Sequence, residues 1–405
     1  MEARPSQIIV LVLGMFFVTL GFSIIMPILP YYTRQMGASA FDLGLLMASW
    51  SAMQLIFTPF WGALSDRIGR KPIILIGLFG YGASFMIYGF ATRLWMLFAA
   101  RVTGGILAGG IYPASLAYIA DITGHRDRGR IMGLLGAASG LGMIFGPSIS
   151  GILTNWGLST PFFVTAIAAF IFGIIGYLFL EESRSVDVHH PIKVEKASII
   201  PALGSPLAIL FALMLLVTFL MSGFQSVFAY YMGGRFGLYE SPSSMPLLWG
   251  SVMLTGPTAM ALLFTVMGIM GVICQGVLVG HLISRIGEGM TVLIGMLAYA
   301  AGFIMIGMSG ELASIMLFSS LIAIGMGLAT PSLNSMVSKA TDEEHQGAML
   351  GVLGSYGSLG RVAGPPIGGL AFDIGTGLPY ALSGVLSLAG AAISYIAIKR
   401  IKIKQ

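Results

Sequence analysis

Two arginines stand inside apolar stretches, and no acid stands with them. Arg101 precedes Gly104, Gly105, Gly109 and Pro113, and Arg361 sits among Gly354, Gly360, Gly364, Pro365 and Gly369. A charge inside hydrocarbon is costly and marks a functional candidate. A guanidinium there can attract an anionic or polar group, or it can tie backbone carbonyls, those of the first span for Arg101 and those around the glycine-rich bend for Arg361. Both readings stay open for each arginine. Arg101, Gly105, Ala108, Tyr112 and Ser115 recur every three or four residues, so they share a helix face that could line a cavity. Ser222, Gln225 and Ser226 offer another polar face, where proton coupling would call for a titrating carboxylate, but Gln225 does not titrate. Asp42 and Asp121 are the acids nearest to the apolar runs, and Asp121 is also placed to pair with Arg70 at a surface. No Ser-His-Asp set, metal-ligand cluster or phosphate loop falls at a useful depth, so we expect no enzyme, metal or cofactor. The single cysteine, Cys274, reads as a small buried apolar residue.

The elements that must carry these residues are membrane helices. Hydrophobic residues make up 56% of the 405 and charged residues 9%, against roughly a quarter charged in soluble domains. A soluble enzyme is excluded, and the net charge of +5 says nothing of nucleic acid. Apolar stretches long enough for the hydrocarbon core fall near 7–31, 43–61, 73–92, 95–120, 131–154, 161–180, 203–232, 252–279, 290–309, 312–337, 347–371 and 378–398. They predict an all-α protein of twelve spans: a bundle over 1–180, a polar linker over 181–201 and a second bundle over 202–405. The first span is too long for a signal-peptide core and reads as retained. With both termini in the cytoplasm, only Arg34, Arg93 and Arg235 of the 21 Lys and Arg fall outside, and Arg101 and Arg361 fall within the membrane. That is a strong positive-inside bias. Arg101 then lies roughly 12 Å, and Arg361 roughly 15 Å, from the outer end of its span at 1.5 Å per residue.

The two bundles are copies of one unit. Gly133, Gly136, Gly142, Gly146, Pro147 and Gly151 recur 218 positions later as Gly351, Gly354, Gly360, Gly364, Pro365 and Gly369. The same offset maps Pro113 onto Pro331, and Gly62, Arg67 and Gly69 onto Gly280, Arg285 and Gly287. Such repeats inside apolar helices point to a transporter of two related halves. The halves differ: Ser284 stands where Asp66 stands, Glu288 where Arg70 stands, and Arg361 where Met143 stands. Residues 233–251 are longer than the loop they replace and should form an external loop with room for a short surface helix.

Four motifs carry a resemblance. Gly62 to Pro72, GALSDRIGRKP, resembles the signature loop of the major facilitator superfamily, with Gly62, Asp66, Arg67, Gly69, Arg70 and Lys71 at its strong positions. Arg101 with its following glycines resembles the second motif of that superfamily. Gly142, Gly146, Pro147 and Gly151 resemble the antiporter motif of its drug-efflux members, with Ser150 replacing one glycine; Gly21 to Tyr32 is also similar to twelve-span drug:proton antiporters. The resemblance implies that the loop clasps the halves on the cytoplasmic side; Asp121, placed to pair with Arg70, is counted with it as part of the gate. It implies that the glycine-proline helices bend, and that small molecules are exported in exchange for protons by alternating access. Physically, Asp66 can complement a facing helix N-terminus, and small residues let helices approach closely.

The leading expectation is therefore a monomeric, multi-pass transporter of the cell membrane that exports hydrophobic drugs or small metabolites. Tyr112, Ser222, Gln225 and Ser226 are the candidate cavity residues. One alternative keeps the fold and carries an anionic metabolite or lipid on Arg101 and Arg361. Another, of a different class, is a non-transporting membrane sensor.

Overall fold

The computed structural model describes residues 5–183, 207–239, 242–247, 250–342 and 345–400. The inferred linker therefore lies outside the described residues from 184 onward. Among the described residues thirteen α-helices and one hairpin run in the order α1 (Pro5–Gln35), α2 (Ala40–Ile68), α3 (Arg70–Gly89), α4 (Leu94–Ala108), α5 (Ile111–Ile122), α6 (His125–Leu153), α7 (Thr160–Phe179), α8 (Ala208–Phe236), β1 (Ser243–Leu247), β2 (Gly250–Leu254), α9 (Gly256–Ile273), α10 (Val279–Met308), α11 (Leu312–Lys339), α12 (Gln346–Ile374) and α13 (Leu378–Arg400). By length and composition, ten stretches among the described residues can cross a membrane, and one of them, Gly256–Met308, is 53 residues long. At 1.5 Å per residue that run is about 80 Å, enough for two crossings. It breaks at Gly287, whose φ of 81° no other residue type adopts readily. Taken as two, and with the glycine-rich α12 added, the helices provide the twelve expected crossings.

Proline shapes the fourth crossing. Pro113 has no N–H to give the Gly109 carbonyl, the crossing divides into α4 and α5 there, and the Thr58 hydroxyl donates to that carbonyl at 3.2 Å. The expected external loop contains an antiparallel hairpin, not a surface helix: Ser243 pairs with Leu254, and Leu247 with Gly250. Met245 is fully buried on one side of β1, so alternation rather than helical periodicity anchors the segment.

The chain packs into two compact units. One comprises Met1–Ala38, Ser49–Pro191 and Pro257–Thr265; the other comprises Ser39–Ala48, Ile192–Gly256 and Val266–Gln405. These are not two contiguous halves, because the start of α2 groups with the second unit and the start of α9 with the first. In the first unit α1 packs chiefly on α6, and α3 on α7 and α4; in the second, α8 packs chiefly on α12, and α10 on α11 and α13. Each core is aromatic. Tyr88 stacks on Phe162 at 5.2 Å in the first, and Tyr299 on Phe303 at 5.6 Å in the second. The exposed side is apolar too, with Ile56, Phe60, Trp95, Ile167 and Leu178 more than half exposed. A surface of that kind belongs in lipid.

Candidate functional site

The loop between α2 and α3 is built around Gly69. Its φ of 101° and ψ of 165° turn the chain sharply, and a Cβ there would overlap the Glu182 carboxylate. Glu182 accepts hydrogen bonds from the backbone N–H of Arg70 at 2.8 Å and of Lys71 at 3.2 Å. It thus closes the N-terminus of α3 with a negative charge, the sign the helix dipole favours. Arg70 reaches Asp66 at 2.7 Å, Asp121 at 3.2 Å and the Ser65 hydroxyl at 3.0 Å. Lys71 donates to the Tyr177 carbonyl at 2.9 Å and lies over the Tyr177 ring. The Ser183 hydroxyl donates to Asp121 at 3.0 Å, and the Tyr118 hydroxyl to the Glu181 carbonyl at 2.6 Å. Arg67 is exposed, and Gly62 has open space where a Cβ would be. One arginine therefore joins the ends of α2, α3 and α5, and the residues after α7 are tied to the same point. Glu181, Glu182 and Ser183 were missed by reading the motif alone. Their signal was the pair of acids directly after the sixth span.

The second unit repeats this joint with its charges exchanged. Glu288 is only 6% exposed and pairs with Lys339 at 2.6 Å, while the Ser335 hydroxyl donates to it at 3.0 Å. Positions 288 and 339 are 70 and 121 advanced by 218, so Arg70–Asp121 in one unit becomes Glu288–Lys339 in the other. The turn is conserved as well: Gly287, with φ 81° and ψ 166°, matches Gly69. Ser284, in place of Asp66, only donates to the His281 carbonyl in its own helix.

The glycine ladders are contact surfaces. A Cβ on Gly142 or Gly146 would overlap Thr19 or Ser23 of α1, and one on Gly360 or Gly364 would overlap Thr218 or Ser222 of α8. The hydroxyls lock these contacts: Ser23 donates to the Gly142 carbonyl at 2.9 Å, and Ser222 to the Gly360 carbonyl at 3.2 Å. Pro147 and Pro365 lie inside α6 and α12. Gly151 sits against Ala261 within the first unit, and Gly369 against Ala40 within the second. In the second unit the Asp373 carboxylate also accepts the N–H of Ala40 at 3.2 Å and of Phe41 at 2.9 Å, closing the start of α2.

These contacts relocate part of the expected cavity. Ser222 and Ser226 are 9% and 0% exposed, and the Ser226 hydroxyl donates to the Gly223 and Pro365 carbonyls. They fasten α8 to α12 instead of facing an open space, because small residues on α12 bring its backbone within hydroxyl reach. Gln225 is half-buried, and Tyr112 is 53% exposed. Ser222 is the counterpart of Ser23, and Thr218 of Thr19, at an offset of 199. The loss of 19 from the 218-residue register matches the longer segment 233–251.

Arg101 is sealed. It is 3% exposed, with its guanidinium carbon 5.7 Å from the Trp50 ring and 5.8 Å from the Tyr88 ring. Gly104 and Gly105 let α2 approach closely enough to place Trp50 there; a Cβ on either would overlap it or its neighbour Met53. Its Nε and the Tyr88 hydroxyl are buried without a hydrogen-bond partner among the described residues. The cation is therefore held by aromatic faces, with no hydrogen bond to carbonyls of α1 among the described residues. Arg361 differs. It is exposed and donates to the Ser358 hydroxyl at 2.9 Å, not to the carbonyls around Pro365. Asp42 accepts from the Ser39 N–H and hydroxyl at the start of α2, and Asp121 holds Arg70. Among the described residues no group of three or more His, Cys, Asp and Glu could hold a metal.

The sequence profile of the Major Facilitator Superfamily matches residues 11–259 and 243–404. The chain belongs to the Major Facilitator Superfamily. It is 30% identical over 404 residues to Multidrug resistance protein 2 of Bacillus subtilis (strain 168), covering 97% of this chain and 95% of that one. It is also 30% identical to the class C tetracycline resistance protein of Escherichia coli, covering 90% and 89%. In fold it is similar to the inward-facing, occupied crystal structure of a bacterial homologue of the human lysosomal transporter Spinster. That likeness has a TM-score of 0.79 at 16% identity, over 99% of this chain and 98% of the other. The superfamily assignment makes this a multi-pass membrane transporter of small molecules.

Proposed function

We propose that this chain exports hydrophobic, neutral or zwitterionic drugs from the cell by alternating access, in exchange for protons. The observation that carries the reading is the 30% identity to a multidrug resistance protein along 97% of the chain. The likeness to a tetracycline resistance protein over 90% of the chain supports it further. In this reading the protein works as a monomer in the cell membrane with both termini in the cytoplasm, as the distribution of Lys and Arg favours. The cluster of Gly62, Asp66, Arg67, Gly69, Arg70, Lys71 and Asp121 gates its cytoplasmic end. Gly142, Gly146, Pro147 and Gly151, with Gly360, Gly364, Pro365 and Gly369, provide the tight and bendable contacts that such a cycle needs. Binding of a cationic drug at a mid-membrane carboxylate is not part of the reading, since Asp42 and Asp121 are both engaged at helix ends.

The test is a growth-inhibition panel of structurally unrelated antibiotics and dyes, read at two pH values in cells with and without the protein. Export raises the inhibitory concentration of several compounds, and more so at the pH that gives the larger inward proton gradient. An unchanged panel at both values rejects the reading.

A further inference from the structure

We propose that Arg361, oriented by Ser358, is the specificity-determining residue that recognises an anionic group, above all a carboxylate, on the transported compound. The proposal rests on the efflux reading and names its substrate class. Arg361 lies near the middle of α12, which runs from Gln346 to Ile374; at 1.5 Å per residue it is about 20 Å from either end. A guanidinium at that depth is not stable facing lipid tails, and its accessible side must open on a water-filled path. Among the described residues no carboxylate pairs with it. Its Nη2 donates to the Ser358 hydroxyl, which itself donates to the Gly354 carbonyl at 3.0 Å. That serine has spent its own proton on the helix, so its lone pair is what faces the arginine and fixes one edge of the fork. The remaining N–H groups carry no acceptor among the described residues. An exposed planar fork with one edge held and the other open is suited to a two-point contact with a carboxylate.

The contrast with Arg101 sharpens this. Both arginines lie inside the membrane, but Arg101 is closed off by Trp50 and Tyr88 and cannot meet a solute without their movement. The anion-binding capacity therefore falls on Arg361. Its counterpart in the other copy, Met143, is also exposed, so this face is open in both copies and charged in one. A cation there repels purely cationic drugs and favours zwitterions and acids.

The experiment uses the full chain in proteoliposomes under an imposed proton gradient. It compares a fluoroquinolone bearing a free carboxylate with its ethyl ester, for wild type, Arg361→Gln and Arg361→Lys. The expected result is that Arg361→Gln lowers transport of the acid at least tenfold and of the ester less than twofold, with Arg361→Lys between. Equal loss of both compounds assigns Arg361 a structural role, and no loss of either removes it from recognition; each overturns the proposal. Wild type moving the ester but not the acid overturns the proposal and leaves the efflux reading standing. Wild type moving neither overturns both. A repeat in neutral phosphatidylcholine and in liposomes with added phosphatidylglycerol separates a soluble anion from a lipid headgroup. Preference for the acid persists in both if the solute is the ligand; its loss with anionic lipid assigns Arg361 to the headgroup and overturns the proposal.

Discussion

Replacing Gly69 with alanine should destabilise the protein more than the same change at Gly287, although both glycines hold one backbone conformation. Their φ and ψ are 101° and 165°, and 81° and 166°, a region open in practice to glycine alone. Forcing alanine into it costs about 1–3 kcal/mol at either site. Nothing lies within 4 Å of a Cβ on Gly287, so the cost ends there. A Cβ on Gly69 would displace the Glu182 carboxylate, which accepts two backbone hydrogen bonds at the start of α3. Hydrogen bonds to a charged group are worth about 1.5–3 kcal/mol each when sheltered. Glu182 is only partly buried, so we take about 2 kcal/mol for the pair, or roughly thirtyfold in the unfolding equilibrium. The assay is reversible unfolding in mixed micelles, followed by tryptophan fluorescence, for the two glycine variants with and without Glu182→Ala. In the Glu182→Ala background, Gly69→Ala should cost no more than Gly287→Ala, because the clash has gone; Gly287→Ala and Glu182→Ala should simply add. Equal costs for the two glycine variants, or a Gly69→Ala cost unchanged by removing Glu182, would refute the reasoning.

The exchanged ion pairs make a second prediction: Glu288→Lys and Lys339→Glu should each lower transport and folded yield, and the double exchange should restore both. Arg70→Glu should not be rescued by Asp121→Lys, because Arg70 also holds Asp66 and Ser65; yields and transport of these five variants check this. Asp373→Asn should weaken the cap on the start of α2 by about 1 kcal/mol. Hydrogen exchange of the Ala40 and Phe41 amides should then quicken several-fold while the middle of α2 is unchanged, and uniform quickening would show a global loss instead.

Much of the fold was legible because membrane helices announce themselves by length and apolar composition. The 218-residue register was legible because glycine is required at both ends of it: Gly69 and Gly287 share a backbone conformation that side chains rarely adopt, and Gly142 and Gly360 lie where a Cβ would overlap the facing helix. The 199-residue register of α1 and α8 was not. Thr19 and Thr218, or Ser23 and Ser222, are small polar residues of a common kind, and the segment carrying the hairpin shifts them out of phase. For the same reason Ser222 and Ser226 read as cavity residues: a serine in an apolar run suggests a ligand contact until the facing helix brings a carbonyl within reach. The exchange of Arg70–Asp121 for Glu288–Lys339 was half visible, since Glu288 stood out but its partner Lys339 lies 51 residues away in sequence. Arg101 could not be told from Arg361 by sequence depth alone. What separates them is a tryptophan from α2, admitted by two glycines.

The central claim is proton-driven drug export, and the most direct measurement is in proteoliposomes that hold only this protein. Drug movement is followed as a proton gradient is imposed, reversed and collapsed. The account predicts movement against the drug's own gradient, in the direction opposite to proton flow, that reverses with the gradient and stops when it is collapsed. Movement that ignores the imposed gradient, or no movement of any compound by folded protein, would contradict it.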